Sequence, residues 1–345
     1  MKDIARRLGV SQATVSHVLR GRDTEFRISA ETASRIHLVA KELGYRPSAL
    51  ARNFKSHRSG ALCLAVGNLG NPFWAALALG AQQEAESQGY LLVVTHTGET
   101  EEKEILVVEM LRERRVDGII LTPAHHQPSH LATLQSEGLP FVFVDRTIEG
   151  MDVPSVVTDS VLGLKMAVDH LVARGHRHIA YLGGPVEIST FRERLRGYNE
   201  ALAAHGLRPG PLLDVPRSGP DAGQQEVATL FRNGAEATAL IAADQFLTIG
   251  ALRAAPEDVV VVGFDDLHWA DLLRRPVTTI AQPIEELGRH AVKLLVEEIA
   301  EPGGHRQLIL PPRLIVRGGG RAAWAVEAPG SPGSTGSTGS PTVGH

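Results

Sequence analysis

The sequence predicts a small all-α head followed by an α/β body of two similar lobes. Three observations carry this. The first 59 residues are basic and hold short helical patterns separated by glycines. From residue 61, apolar runs alternate with helical stretches. That alternation restarts near Asp159. The length of 345 residues fits two or three units at roughly 100–200 residues each. With 43% hydrophobic and 21% charged residues, a wholly disordered chain is excluded. The head holds 12 Lys and Arg against five Asp and Glu, a surplus of +7, and the rest holds 23 against 34, or -11. A cationic end on an anionic body points to a polyanion partner at one end only.

The first helix is expected over residues 3–8, with Ile4, Ala5 and Leu8 on one face, ended by Gly9. Ser11 is placed to cap a second helix carrying Val15, Val18 and Leu19 as one apolar stripe. Gly21 ends it. A third starts near Ser29, turns Ile36, Val39, Ala40 and Leu43 inward, and stops at Gly44 and Pro47. Two short helices around a Gly-containing turn in a basic segment form a helix-turn-helix. Its polar face presents Gln12, Ala13 and His17 to base edges in a major groove. Gln12 can pair with adenine, Ala13 can touch a thymine methyl, and His17 can donate to guanine. Ser11, Thr14 and Ser16 suit phosphates. A generic three-helix knob for protein contact is the competing reading.

The runs Asp3-Ile4-Ala5 through Gly9-Val10-Ser11, Ala13-Thr14-Val15-Ser16-His17-Val18-Leu19 and Lys41-Glu42-Leu43-Gly44-Tyr45-Arg46-Pro47-Ser48-Ala49 together resemble the LacI/GalR family of bacterial transcription regulators. The resemblance extends to about residue 321. One local departure is the long, charged loop Arg22–Arg27. The resemblance implies a head at 1–46, a hinge at 47–59, and a type I periplasmic-binding-protein-like effector domain at 60–321. That domain would have an N-lobe at about 60–158 plus 282–308 and a C-lobe at about 159–281 plus 309–321.

Pro47 suits a helix start, and Ala49, Leu50 and Ala51 favour its continuation, but about eight residues form only a marginal helix in water. The resemblance implies that this hinge orders on an operator, pairs with its twin and enters the minor groove. Ala51, Arg52, Phe54 and Lys55 would make the contacts, with Phe54 in the wedge position where the family usually has Leu. A plain linker with Phe54 tucked against the body is the alternative.

In the body, strands are expected at Leu62–Val66, Leu91–Thr95, Gly118–Leu121 and Phe141–Val144. Helices are expected near Pro72–Gln88 and Thr100–Arg115. The second cycle has strands near His178–Leu182, Ala239–Ala242 and Val259–Gly263. Asp159 and Gly163 read as a helix start where the chain crosses between lobes. Residues 322–345 are rich in Gly, Ser, Pro and Thr and are expected to be disordered. They carry no heptads, so a homodimer is expected rather than a coiled-coil tetramer.

Ligands on such sheets bind beyond the carboxyl ends of the strands. The loops there supply Phe73, Arg146, Thr190, Arg194 and Asp265, which the resemblance aligns with the family's effector positions, and Asp145 and Asp244, which align with them more loosely. Carboxylates accept adjacent hydroxyls and arginine forks donate to ring oxygens, so a sugar or related metabolite fits. For Asp145 and Asp244, helix capping or a lobe-hinge hydrogen bond is the competing use, and for Arg146 a surface ion pair. Ile188 stands where some purine-binding members have Arg, which argues against a nucleobase. The stretch Leu252-Arg253-Ala254-Ala255-Pro256 runs almost directly into the next strand, shorter than the family pattern.

No nucleophile elbow, P-loop or dinucleotide fingerprint is present, so neither an enzyme nor a cofactor is expected. His125, His126 and His130 read as a solvated loop rather than a metal site. The single cysteine, Cys63, sits in an apolar strand and reads as an inert thiol. No apolar run of about eighteen residues spans a membrane, and a cytoplasmic location is expected. The sequence thus predicts a repressor that binds palindromic duplex DNA under control of a small effector, with a cytoplasmic sugar-binding or sugar-modifying protein as the alternative.

Overall fold

A computed structural model describes residues 1–19, 21–45, 59–124, 129–266, 270–303 and 306–317. The head consists of α1 (Lys2–Leu8), α2 (Gln12–Val18) and α3 (Ala30–Glu42). Gly9 takes the left-handed conformation that closes α1, at φ 66°. The Ser11 hydroxyl accepts from the Thr14 amide at 2.9 Å, so the expected cap forms, and Ser29 caps α3 in the same way through the Thr32 amide at 3.2 Å. Ile4, Val15, Val18 and Ile36 are fully buried and make a small core shared by the three helices.

The first lobe begins with β1 (Ala61–Val66), α4 (Pro72–Ser87), β2 (Leu91–His96), α5 (Glu101–Glu113) and β3 (Gly118–Leu121). It continues through α6 (Ser129–Glu137), β4 (Phe141–Val144) and β5 (Ser155–Thr158). The second holds α7 (Ser160–Ala173), β6 (Ile179–Gly183), α8 (Ser189–Ala204), β7 (Leu212–Asp214) and α9 (Pro220–Arg232). It proceeds to β8 (Ala239–Ala242), α10 (Gln245–Ala254), β9 (Val260–Phe264) and β10 (Thr278–Ala281). The chain then returns to the first lobe as α11 (Ile284–Ala300) and β11 (Gln307–Leu310), and re-enters the second as β12 (Arg313–Ile315).

Among the described residues there are two six-stranded sheets, ordered β11-β5-β4-β3-β1-β2 and β12-β10-β9-β8-β6-β7. The first is parallel throughout, and the second is parallel except for β12. The orders match position for position, so β4 and β9 are equivalents. Parallel sheets need both faces covered, which is why their central strands read as unbroken apolar runs. The short strands β5, β7, β10, β11 and β12 carry no such signal. They are three or four residues long, and three of them lie at sheet edges.

Three features hold the lobes and the ends of their connections in place. Asp159 caps α7 by accepting from the Leu162 amide at 2.8 Å, just after the first crossing between lobes. The chain enters the first lobe under a clamp, because Asp117 accepts from the Ser59 and Gly60 amides at 2.5 and 2.8 Å. The shortened stretch after α10 leaves that helix intact: Leu247, Thr248 and Ala251 stay buried, and Arg275 donates to the Pro256 carbonyl at 2.9 Å.

Helices α4 and α11 meet almost backbone to backbone. A Cβ on Gly80 would lie 2.0 Å from the Glu285 carbonyl oxygen, and one on Gly288 would lie 2.2 Å from that of Leu77. Neither obstacle is a side chain that can swing away. Gly80→Ala should therefore lower stability by roughly 1–3 kcal/mol, read as a fall in the urea midpoint. An unchanged midpoint would show that the two backbones are not in contact.

Candidate functional site

Two regions gather the polar groups singled out from the sequence. In the head, Gln12 and Ala13 are exposed on the first turn of α2, while Val15 and Val18 face the core. Ser16 and His17 are half-buried. Ser11 is engaged as the cap, its hydroxyl 2.8 Å from that of Thr14. The His17 ring is roofed by Phe26, with centroids 3.5 Å apart, a contact that nothing in the residue pattern signals. The candidates Ala51, Arg52, Phe54 and Lys55 lie outside the described residues, as do His125, His126 and the stretch 322–345.

In the body, the carboxyl ends of the two sheets face a common cleft. Asp145 follows β4 and Asp265 follows β9, at equivalent places in the two lobes. Both adopt the left-handed conformation, φ 66° and 72°, which Asp tolerates better than most side chains. Each amide donates to the neighbouring strand, Asp145 to the Val156 carbonyl and Asp265 to that of Ile280, both at 2.9 Å. Repetition of the same strained turn at both strand ends leaves one nearly buried carboxyl from each lobe.

Arg194, on α8, is 4% exposed. Its guanidinium lies 3.7 Å over the Phe264 ring, and Nη1 donates to the Ala243 carbonyl at 2.6 Å. Its Nε is buried with no hydrogen-bonding partner among the described residues. Burial pushes the Asp265 carboxyl above the usual carboxylate range, against the pull of Arg194 and a 2.6 Å bond from the Gln282 amide. Burial likewise raises Asp145, opposed by Arg146 and, across the cleft, by Arg194.

Asp244 is raised by burial too. It is fully occupied as a cap, accepting from the Leu247 amide at 2.7 Å and from the Ser218 hydroxyl. Arg146 is largely buried rather than a surface ion-pair partner. It bonds Glu99 at 3.1 Å and lies 5.9 Å over the Trp74 ring, with Nε and Nη1 buried and without a hydrogen bond among the described residues. Trp74 itself packs in the first-lobe core.

The seven expected side chains do not line one hollow. Asp145 and Thr190 line a cavity of about 560 Å³ together with Thr147, Ser160 and Gln282. Phe73 and Asp265 line a second of about 450 Å³ together with Gln245 and Gln282. Gln282, at the second crossing between lobes, borders both. Arg146, Arg194 and Asp244 line neither. Hydrogen bonds that join the lobes across the cleft include those from the Thr147 amide to Ser189 Oγ at 3.0 Å and from the Gln245 amide group to Asn71 Oδ1. Asn71 also caps α4 through the Phe73 amide at 2.9 Å. Sequence reasoning missed Gln282, Gln245, Asn71, Ser189 and Glu99. A neutral amide or hydroxyl carries no signal until the fold brings it to a partner.

Elsewhere, burial pushes the Cys63 thiol up to about 12, so it is neither exposed nor ionised at neutral pH. His130 bonds the buried Glu104 at 2.8 Å, and among the described residues no group of three His, Cys, Asp or Glu could hold a metal ion. No helix among them is long and apolar enough to cross a membrane.

Comparisons with known proteins agree with this layout. Residues 1–48 match the bacterial regulatory proteins of the lacI family, and residues 59–317 match the periplasmic binding proteins and sugar binding domain of LacI family. The chain is 32% identical over 332 residues to the ribose operon repressor of Escherichia coli (strain K12), covering 92% of this chain and 98% of that one. It is 29% identical to the HTH-type transcriptional repressor CytR of the same strain, covering 93% and 96%. Among solved structures, a putative ribose operon repressor from Burkholderia thailandensis superposes with a TM-score of 0.68 at 32% identity, covering 75% of this chain and 99% of that one. The Lac repressor dimer bound to operator and the anti-inducer ONPF gives 0.81 at 26% identity, covering 91% and 97%. The chain therefore belongs to the LacI family of bacterial regulatory proteins, a transcriptional regulator with a helix-turn-helix head and a periplasmic-binding-protein-like body.

Proposed function

We propose that this regulator is a dimeric, sequence-specific repressor whose hold on a palindromic operator is set by a sugar or related polyol between its lobes. The observation that carries the reading is the matched pair Asp145 and Asp265, one per lobe, sharing the buried charge of Arg194. Arg194, Arg146 and Gln282, which act on these carboxyls, each keep a buried polar atom without a hydrogen bond among the described residues. Buried donors and acceptors of this kind are costly unless paired, and vicinal hydroxyls satisfy both classes at once. A phosphate or carboxylate ligand would instead meet the two desolvated carboxyls Asp145 and Asp265 and is disfavoured. The relatives named for ribose and the cellobiose complex of the regulator CelR, 29% identical, support a sugar.

In this reading Phe73, Asp145, Thr190 and Asp265 contact the effector from the hollows they line, and the contacts expected of Arg146 and Arg194, which line neither hollow, require a movement of side chain or lobe. Asp244 acts mainly by holding α10 at the cleft wall. Gln12, Ala13 and His17 read bases, while Ser11, Thr14 and Ser16 meet phosphates. The assignment of Ala51, Arg52, Phe54 and Lys55 to the minor groove rests on sequence alone, as do the divisions at residues 46, 59 and 321. A ligand touching both lobes favours one angle between them, and that angle sets the spacing of the two hinge roots in a dimer. The effector acts only through its difference in affinity for the two states. The relatives are regulators rather than enzymes, and nothing in this mechanism needs a covalent step.

Gln12→Ala should weaken binding to the preferred duplex by about 1–3 kcal/mol while leaving binding to random duplex unchanged. Equal losses on both would remove Gln12 from base reading. A second test uses Asp265→Asn, which keeps the left-handed turn but cannot titrate. The folded carboxyl has the raised pKa, so at a pH between the unfolded and folded values the folded chain holds a proton that the unfolded chain has released. The stability tied to it is thus present below the unfolded value of about 4 and is lost as pH rises through the folded value. Thermal melts of Asp265→Asn should therefore fall less than those of the unmodified chain as pH is raised from 4 to 7. The variant should bind operator normally and ignore the sugar that raises the melting temperature of the unmodified chain. Retained sensitivity to that sugar would overturn the cleft assignment.

A further inference from the structure

Phe26 is 45% exposed in a charged loop, where filling a core does not account for it. Its ring lies on the His17 imidazole, with planes 25° apart as well as centroids 3.5 Å apart. The Arg22 guanidinium carbon lies 5.2 Å from the centre of the same Phe26 ring. Arg22 is in turn gripped by Glu25 through two bonds of 2.6 Å, Nε to Oε2 and Nη2 to Oε1. The four side chains form one series running from Glu25 through Arg22 and Phe26 to His17. The backbone beneath them is closed as well. The Arg22 amide donates to the His17 carbonyl at 3.0 Å, Phe26 to Arg22 at 3.2 Å and Ile28 to Asp23 at 2.8 Å. Arg27, at φ 52°, turns the chain back toward α3.

We propose that Phe26 is a positioning residue for base reading, which fixes the plane of His17 so that Nε2 is the atom offered to a base edge. This rests on the assignment of α2 as the reading helix. The terminal torsion of a histidine is broad and roughly two-fold, so a free imidazole presents either nitrogen. A second ring lying nearly flat on it holds the plane, and the burial of Nδ1 decides between the two orientations related by a half-turn within that plane. His17 Nδ1 is buried and has no hydrogen-bonding partner among the described residues. A proton there would bury an unsatisfied donor, so the neutral ring carries its proton on Nε2. The ring then presents a donor, suited to guanine N7 or O6 or to thymine O4. Glu25 supports the stack by holding Arg22 over Phe26, and an exposed ion pair of this kind adds little to fold stability. With its guanidinium committed to Glu25, Arg22 serves the platform rather than a phosphate.

The test uses the full chain and the palindromic duplex it selects from a randomised pool. Binding to that duplex and to every single-base variant of it is measured for the unmodified chain and for His17→Ala, Phe26→Ala, Phe26→Leu, Phe26→Tyr and the His17→Ala/Phe26→Ala double variant. His17→Ala should lose discrimination at one base pair per half-site. Phe26→Ala should lose about fivefold at that same base pair, the scale of one hydrogen bond between neutral groups. Phe26→Leu, which keeps apolar bulk without a flat face, should behave like Phe26→Ala, and Phe26→Tyr should restore discrimination. The double variant should match His17→Ala alone at that position. A uniform loss of affinity in Phe26→Ala, full discrimination in Phe26→Leu, or multiplied losses in the double variant would each overturn the proposal. Failure to select any preferred duplex would remove the DNA-reading assignment and this inference together, whereas a preference indifferent to Phe26→Ala removes only the inference.

Discussion

The body's chemistry depends on the burial of Arg194, Asp145 and Asp265 at the carboxyl ends of two apolar sheets. Taking charge out of water is expensive, and attraction between partners seldom repays it fully. Here the balance is visible in its sign. Both carboxyls remain above their ordinary range although an arginine pulls each down. The cleft is therefore built to gain from additional hydrogen bonds, and a polyhydroxylated guest would supply them. One carboxyl belongs to each lobe, so the energy of filling the site is also energy of holding the lobes at one angle.

That angle has a route to the head. Gly80 and Gly288 let α4 and α11 lie backbone to backbone, which makes the first lobe a stiff block. Asp117 fastens Ser59 and Gly60 to the same lobe, at the point where the chain leaves the hinge. The cleft side of that block is joined to the second lobe by Asn71–Gln245 and Thr147–Ser189. Asn71 also caps α4, so breaking or forming its bond to Gln245 acts on a helix end rather than on a loose loop. In the proposed mechanism a rotation between lobes would reach the hinge root through α4 and the Asp117 clamp.

Much of this architecture is legible from residue pattern alone. The cap Ser11, the helix start at Ser29, the left-handed Gly9, and the strands Gly118–Leu121, Phe141–Val144 and Ala239–Ala242 lie where the sequence places them. Long apolar runs and caps are local signals, and local signals survive folding. The short edge strands β7, β11 and β12 are not legible, because a partner strand defines them rather than a run of their own residues: Gln307–Leu310 is mostly exposed. Asp244 can be read equally as a cap or a ligand group, and the structure uses it as a cap. The roles of Gln282, Gln245 and Ser189 depend on where the chain crosses between lobes. Phe26 carries no signal of its own, because an aromatic in a charged loop means nothing until its ring is seen on another.

The central claim is that occupancy of the cleft and grip on DNA are two readings of one equilibrium. Such coupling is reciprocal, so the factor by which a sugar changes operator affinity must equal the factor by which operator changes sugar affinity. The most direct measurement takes the sugar that most raises the melting temperature of the full chain. It determines operator affinity with and without saturating sugar, and sugar affinity with and without saturating operator. The account predicts two factors that differ from one and agree with each other. An operator affinity indifferent to a sugar bound in the cleft would contradict it.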